Sequence, residues 1–245
     1  MNSKLLTISE ASKMLGVSIQ TLRRWDNENK FDSIRKKTTG HRYYSKDAID
    51  EYMKNHMKDL FKIARNWVIC DSGNEPLPDF YCQNSFVFQS RLSRLESELG
   101  KIKGLEKTFP LISAISGEIG NNSFDHNLGN WNDIPGLFFA YDLKKKNVVL
   151  ADRGQGILAT LKKVRPGLAN HKDALRVAFT EIISGRAPES RGNGLKFVKN
   201  VVSSNKISLL FQTGDANLEI EQNNSELNIK NSDVNFHGCL ALIKF

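Results

Sequence analysis

Glu118, Asn122, Asp125 and His126 fall close together in the stretch "SGEIGNNSFDHN", directly after the apolar run "PLISAI". On a helix beginning near Leu111, Glu118 and Asn122 stand one turn apart, and Asp125 or His126 completes the same face a turn later. A carboxylate and an amide on an otherwise apolar helix are costly to bury unless something binds them. A hydrated Mg²⁺ carrying phosphates suits both groups. The amide oxygen of Asn122 can ligate the metal, and the Glu118 carboxylate can polarise a water or hydroxyl nucleophile. Taken alone, the stretch also reads as a buried polar knot satisfied by backbone.

Two further segments narrow that choice. In "NVVLADRGQGIL" an apolar strand ends at Asp152, and Gly154 and Gly156 follow where a ligand ring could approach a backbone without side chains. In "GRAPESRGNGLKFVKNVV" a loop ends in Gly192-Asn193-Gly194 and enters a helix with Leu195, Val198 and Val201 or Val202 on one side. A glycine turn at a helix N-terminus offers free N–H groups and the positive end of the helix dipole to phosphate.

In this order the three segments resemble the GHKL ATP-binding superfamily of gyrase, heat-shock chaperones, sensor histidine kinases and mismatch-repair ATPases. "EIGNNSFDH" is similar to the N box, "DRGQG" and "RGNGL" to the two glycine boxes, and "FHGCLALIKF" to the closing strand, over roughly residues 108–245. The resemblance implies ATP and Mg²⁺ as cofactors. Asn122 would ligate Mg²⁺, Glu118 would act as general base, and Asp152 would accept from the adenine amino group. Gly154 and Gly156 would line the base, while Arg191, Gly192, Asn193 and Gly194 would hold phosphates. Asp125, His126 and Leu195 complete the candidate ATP-binding set. Leu158 to Arg191 would form a mobile lid, with "DALRVAFTEIISGRAPESRGNGL" similar to that of the serine-kinase anti-sigma group. Gly117 and Gly120 depart from the helix-favouring residues usual in the N box.

Such a site must be positioned by a sandwich of helices on a sheet. Strands are expected near "GLFFAY", "NVVLA", "ISLLFQ" and "CLALIKF", with a hairpin-like pair between residues 216 and 230 in a mixed sheet. The expected fold is α+β: an N-terminal winged helix-turn-helix at residues 1–56, a helical connector at 57–107, and a two-layer ATP-binding sandwich at 108–245.

The N-terminal expectation has its own residues. "LTISEASKMLGVSIQTLRRWDNENK" opens on the capping-box pair Thr7 and Glu10, with Ala11, Met14 and Leu15 as an apolar face, Gly16 as a stop and Ser18 as a second N-cap. Leu22 and Trp25 face a core from the second helix. "IRKKTTGHRYYSKDAIDEYM" then reads as two strands around a Thr-Thr-Gly turn, followed by a Ser45-capped helix carrying Ile49 and Met53. This segment, about residues 4–56, resembles the winged helix-turn-helix of MerR-like and excisionase-like DNA-binding domains. The resemblance implies that Gln20, Thr21, Arg23 and Arg24 approach the major groove of double-stranded DNA and that His41, Arg42 and Tyr43 contact its backbone. Ser18, Lys36 and Lys37 complete the candidate DNA-binding set. Of the net charge of +8, residues 1–65 hold +6, with 14 basic against 8 acidic side chains. That imbalance suits a polyanion partner.

Between the two, Phe88, Leu92, Leu95, Leu99 and Ile102 form an a/d stripe over about two heptads. Two readings stand: packing on the following domain, or pairing of subunits in a homodimer. The loop "CDSGNEPLPDFYC" precedes it. Three scattered cysteines, Cys70, Cys82 and Cys239, suit buried reduced thiols rather than a disulfide framework. The N-terminus is interrupted by Ser, Glu and Lys, so no signal peptide or membrane span is expected and a cytoplasmic setting is. His41, His56, His126, His171 and His237 include none in a phosphoacceptor context, and no transducer segment is expected beyond Phe245. Two functions remain. One is a DNA-binding transcription regulator whose ATP occupancy or hydrolysis sets DNA binding or assembly. The other is a DNA-tethered protein serine or threonine kinase acting on a partner protein.

Overall fold

The structure is a computed structural model that describes residues 4–15, 19–35, 40–56, 59–71, 73–183 and 193–245. Its N-terminal part holds β1 (Leu5–Thr7), α1 (Ile8–Leu15), α2 (Ile19–Asn27), β2 (Ile34–Arg35), β3 (Arg42–Ser45) and α3 (Lys46–His56). The capping box forms: Glu10 accepts from the Thr7 N–H at 2.8 Å, and the Thr7 hydroxyl accepts from the Glu10 N–H at 3.3 Å. Ser45 caps α3 through the Ala48 N–H. Strand β3 lies between β1 and β2, and Leu22, Trp25, Tyr44 and Ile49 close a small core of their own with Ala11. Gly16, Ser18, the turn at 36–39 and the Met53 side chain lie outside the described residues.

The second unit is built on a seven-stranded sheet in the order β4-β5-β6-β10-β7-β8-β9. Its strands are β4 (Tyr81–Cys82), β5 (Leu137–Asp142), β6 (Asn147–Asp152), β7 (Ser208–Thr213), β8 (Ala216–Ile220), β9 (Asn228–Asn231) and β10 (Cys239–Lys244). The four strands and the hairpin expected from sequence all form. The expected mixed sheet does not, because every pairing is antiparallel. The helical crossover between β6 and β7 leaves those two strands pointing the same way, but β10 inserts between them, antiparallel to both.

Period-two burial fixes what each face carries. Leu137, Phe139, Val148, Leu150, Ala241 and Ile243 face one core. It is covered by α5 (Ser85–Leu99), α6 (Phe109–Asn127), α7 (Gly156–Lys162), α8 (His171–Thr180) and α9 (Gly194–Ser203). Phe138, Ala140, Val149, Ala151, Leu240 and Leu242 face the other side, against α4 (Leu60–Ile69). The two-layer sandwich therefore gains a partial third layer. Residues 57–107, expected as a connector, instead supply α4, the edge strand β4 and helix α5 to this unit. The a/d stripe is consumed inside the chain: Phe88, Leu95 and Leu99 are buried in the core beside α6.

Helix α6 runs unbroken through Gly117 and Gly120. A Cβ at Gly120 would fall inside the Phe88 ring, so this glycine is what lets α5 and α6 approach. Of the expected lid, residues 158–183 are described. Helix α8 buries Ala174, Leu175 and Phe179, and α7 buries Leu161, in the same core as the sheet. The part at 184–192 lies outside the described residues.

Candidate functional site

Helix α6 presents two polar faces. On one, Glu118 and Asn122 are half-buried and point toward the start of α9. A Cβ built on Gly194 would stand 2.6 Å from Glu118 Oε2 and 3.4 Å from Asn122 Nδ2, so the N-terminal turn of α9 lies against both groups. Helix α9 has Asn193 at its N-cap position with no side-chain cap bond. Its first N–H groups and dipole are therefore directed at the same place as the carboxylate and the amide.

On the other face, Ser123 and Asn127 are buried and hold Asp152 at the end of β6. The Ser123 hydroxyl donates to Asp152 Oδ2 at 2.8 Å, and Asn127 Nδ2 donates to Oδ1 at 3.3 Å. The Gly154 N–H donates to Oδ1 at 2.9 Å. Asn127 Oδ1 in turn accepts from the Gln155 N–H at 2.9 Å, which ties the glycine turn to the helix. Burial pushes the Asp152 carboxyl above the ordinary carboxylate range, against the pull of the Gly154 N–H and the Ser123 hydroxyl. The Cys239 N–H donates to the same carboxyl, which lines an apolar cleft.

The cleft lies between α6, the end of β6, the start of α7 and the start of α9. Ile119, Leu150, Ile157, Leu195 and Phe211 line it, together with Asn122 and Asp152. His126 also lines it. Burial and the nearby Lys163 charge push its imidazole below the ordinary value, so it enters the cleft as a neutral ring.

Of the candidate ATP-binding residues, the structure thus gathers Asn122, His126, Asp152, Gly156 and Leu195 around one cleft, and Glu118 and Gly194 meet beside Asn122. Gly154 acts through its N–H on Asp152. Asp125 lies on the exposed side of α6, and Asn193 is exposed at the α9 cap. Arg191 and Gly192 lie outside the described residues. Ser123 and Asn127 were not singled out from sequence. Their signal was present, since they sit one turn apart on the same helix, a single position beyond Asn122 and His126.

In the N-terminal unit, Gln20, Arg23 and Arg24 are exposed on α2 and Thr21 is half-buried. His41 is exposed, and Tyr43 is half-buried in β3. Arg42 is drawn inward: its Nε donates to Asp26 Oδ2 at 2.6 Å and its Nη2 to Asn27 Oδ1 at 3.1 Å. Arg35 donates to the same Asp26 oxygen at 3.2 Å. Burial would raise the Asp26 carboxyl, but Arg42, the Ser33 N–H and Arg35 outweigh it and hold the group well below the ordinary carboxylate range. Asp26 thereby fastens the wing to α2, a role not read from the sequence. Ser18, Lys36 and Lys37 lie outside the described residues.

Residues 7–44 match the family model described as MerR family regulatory protein, and this segment is a MerR-type helix-turn-helix. No curated protein matches the chain. Among solved structures, the chain is similar to the 43K ATPase domain of Thermus thermophilus gyrase B in complex with an aminocoumarin. The identity is 14% and the TM-score 0.34, over 60% of this chain and 39% of that one. The similarity thus spans well under half of that chain's length. No helix among the described residues is long and apolar enough to cross a membrane.

Proposed function

We propose that this protein is a DNA-binding regulator in which the cleft between α6, β6 and α9 binds ATP with Mg²⁺, and in which nucleotide occupancy controls DNA binding or assembly. The observation that carries the reading is the meeting of Gly194, at the start of α9, with Glu118 and with Asn122, which lines the same cleft as the buried Asp152. Three sequence segments far apart in the chain thereby contribute an acceptor for a base, N–H groups for phosphates, and a carboxylate beside them.

The residues fit such a ligand. Asp152 accepts from Ser123, Asn127 and Gly154. It suits the exocyclic amine of adenine and rejects guanine, which places a carbonyl oxygen there, as a site built around a fixed hydrogen bond does. Among the described residues no three His, Cys, Asp or Glu side chains converge. Magnesium would therefore be held by the Asn122 oxygen, phosphates and waters, in keeping with its reluctance to dehydrate. Bound, it would neutralise charge on the terminal phosphates. Glu118, half-buried beside Gly194 and Asn122, would orient and deprotonate a nucleophile.

The exposed Arg23 and Arg24 on α2, on a segment with most of the chain's net charge, support contact with double-stranded DNA through phosphate. The experiment is incubation with Mg²⁺ and γ-labelled ATP, with and without duplex DNA, alongside Glu118→Ala and Asp152→Ala. Phosphate release that Glu118→Ala abolishes supports an ATP-hydrolysing regulator. Label transferred to an added protein instead supports a DNA-tethered kinase. Failure of the wild type to bind nucleotide overturns the assignment of the cleft.

A further inference from the structure

Asp152 and Arg153 are neighbours in sequence and point to opposite faces of the sheet. Asp152 continues the alternation of Val148 and Leu150 toward the cleft, whereas Arg153 continues that of Val149 and Ala151 toward α4. The Arg153 guanidinium is buried, with a side-chain exposure of 9%. All three of its nitrogens donate. Nη1 donates to the main-chain carbonyls of Trp67 at 2.6 Å and Val68 at 3.2 Å, in the last turn of α4. Nε and Nη2 donate to Asp133 at 2.6–3.0 Å. The guanidinium carbon also lies 5.9 Å from the centre of the Trp67 ring.

Asp133 extends the connection. Its carboxylate also accepts from the Gly73 N–H, in the segment that leaves α4. The preceding Asn132 donates to the Gly154 carbonyl at 2.9 Å, inside the glycine turn of the cleft. One loop between α6 and β5 thus grips both the turn that positions Asp152 and the C-terminal end of α4. Trp67 seats α4 on the sheet through Phe138, and its indole N–H donates to the Asn74 carbonyl at 2.7 Å. At its other end, α4 begins at Leu60, and α3 of the helix-turn-helix unit ends at His56.

We infer that Arg153, clamped by Asp133 onto the last carbonyls of α4, is the positioning residue through which occupancy of the cleft is transmitted to α4 and hence toward the DNA-binding unit. This rests on the cleft being the ATP site. The physical basis is directional. A base bound to Asp152 fixes the end of β6, Arg153 shares that backbone, and a planar five-donor fork holding two carbonyls and a carboxylate has one arrangement that satisfies them all. A guanidinium at a helix C-terminus also complements the dipole of α4, so moving it loosens that terminus first.

The test is amide hydrogen exchange of the full-length protein with and without Mg-ATP, on the wild type, Arg153→Lys and Asp133→Asn. Arg153→Lys keeps the charge and loses the fork; Asp133→Asn keeps the fork and loses its charged anchor. The expected wild-type result is slowed exchange on Mg-ATP both in the cleft segments, residues 118–127 and 150–157, and in α4. In both variants the cleft segments remain protected and the α4 response is lost. DNA affinity, measured by anisotropy on a duplex selected from random sequence by the wild-type protein, then ceases to depend on nucleotide. An α4 response that survives in the two variants overturns the inference. Protection of the cleft without any α4 response in the wild type also overturns it while leaving the ATP site intact. Absence of cleft protection in the wild type overturns the ATP site itself, and the inference with it.

Discussion

Gly194 lies so close to Glu118 that the smallest side chain at the glycine would bring its Cβ within 2.6 Å of Oε2. The approach joins the start of α9 to the middle of α6. Gly194→Ala should leave folding intact, because alanine favours the helix and the obstructed atom is a movable side-chain tip. It should displace the Glu118 carboxylate from the start of α9 and weaken nucleotide binding, tenfold for each ~1.4 kcal/mol of binding energy lost. Melting curves together with nucleotide titrations check this: an unchanged or higher melting temperature with weakened binding is expected.

Asn127 holds Asp152 and the Gln155 N–H. Replacing it with alanine removes the acceptor for the Gln155 N–H and a donor to Asp152. Buried groups left unsatisfied cost about 1–3 kcal/mol, and a chain of this size loses roughly 2–4 °C of melting temperature per kcal/mol. Asn127→Ala should therefore lower both the melting temperature and the affinity for ATP, whereas Asp125→Ala, on the exposed side of the same helix, should lower ATP affinity far less.

The Asp152 carboxyl gives a pH dependence with a definite sign. Burial raises its folded-state value above the ordinary one, so over that window the folded protein binds more protons than the unfolded chain. Stability without nucleotide therefore falls as pH rises through the window. Asp152→Asn lacks this loss. The melting temperature of the variant minus that of the wild type should increase from acid to neutral pH in thermal scans without ligand.

In the helix-turn-helix unit, Arg23 and Arg42 should separate cleanly. Arg23 is exposed, and if it meets a phosphate, Arg23→Ala should reduce the salt slope of DNA binding by about one. Arg42 is spent on Asp26 and Asn27, so Arg42→Ala should act mainly on stability, at about 1.5–3 kcal/mol for a lost charged hydrogen bond. Asp26→Asn should reproduce that loss. The contribution of Asp26 is present above the ordinary carboxylate value and disappears as pH falls through the depressed folded value. Salt titrations of DNA affinity and acid unfolding of the variants check these expectations.

The legible parts of the sequence were those where local chemistry carries position. Thr7 and Glu10 announce a helix start by their spacing alone, and Asp152 ends an apolar strand before a glycine turn. The missed parts depend on what crosses the sheet. Ser123 and Asn127 look like ordinary polar helix residues until β6 brings Asp152 against them. Arg153 has no reading of its own inside "DRGQG" until α4 is seen to cover the far face. The two-residue strand Tyr81–Cys82 carries too little pattern to be told from a loop, and only its pairing with Leu137 and Phe138 reveals it. Helix α8 resembled a lid by sequence likeness, yet its Leu175 and Phe179 are core residues.

The most direct test of the central claim is calorimetric titration of the wild type and Asp152→Asn with Mg-ATP and, separately, Mg-GTP. Saturable ATP binding by the wild type, with GTP binding far weaker and ATP binding lost in Asp152→Asn, is the predicted result. Equal binding of the two nucleotides, or ATP binding untouched by the substitution, would contradict the claim that the cleft reads adenine through Asp152.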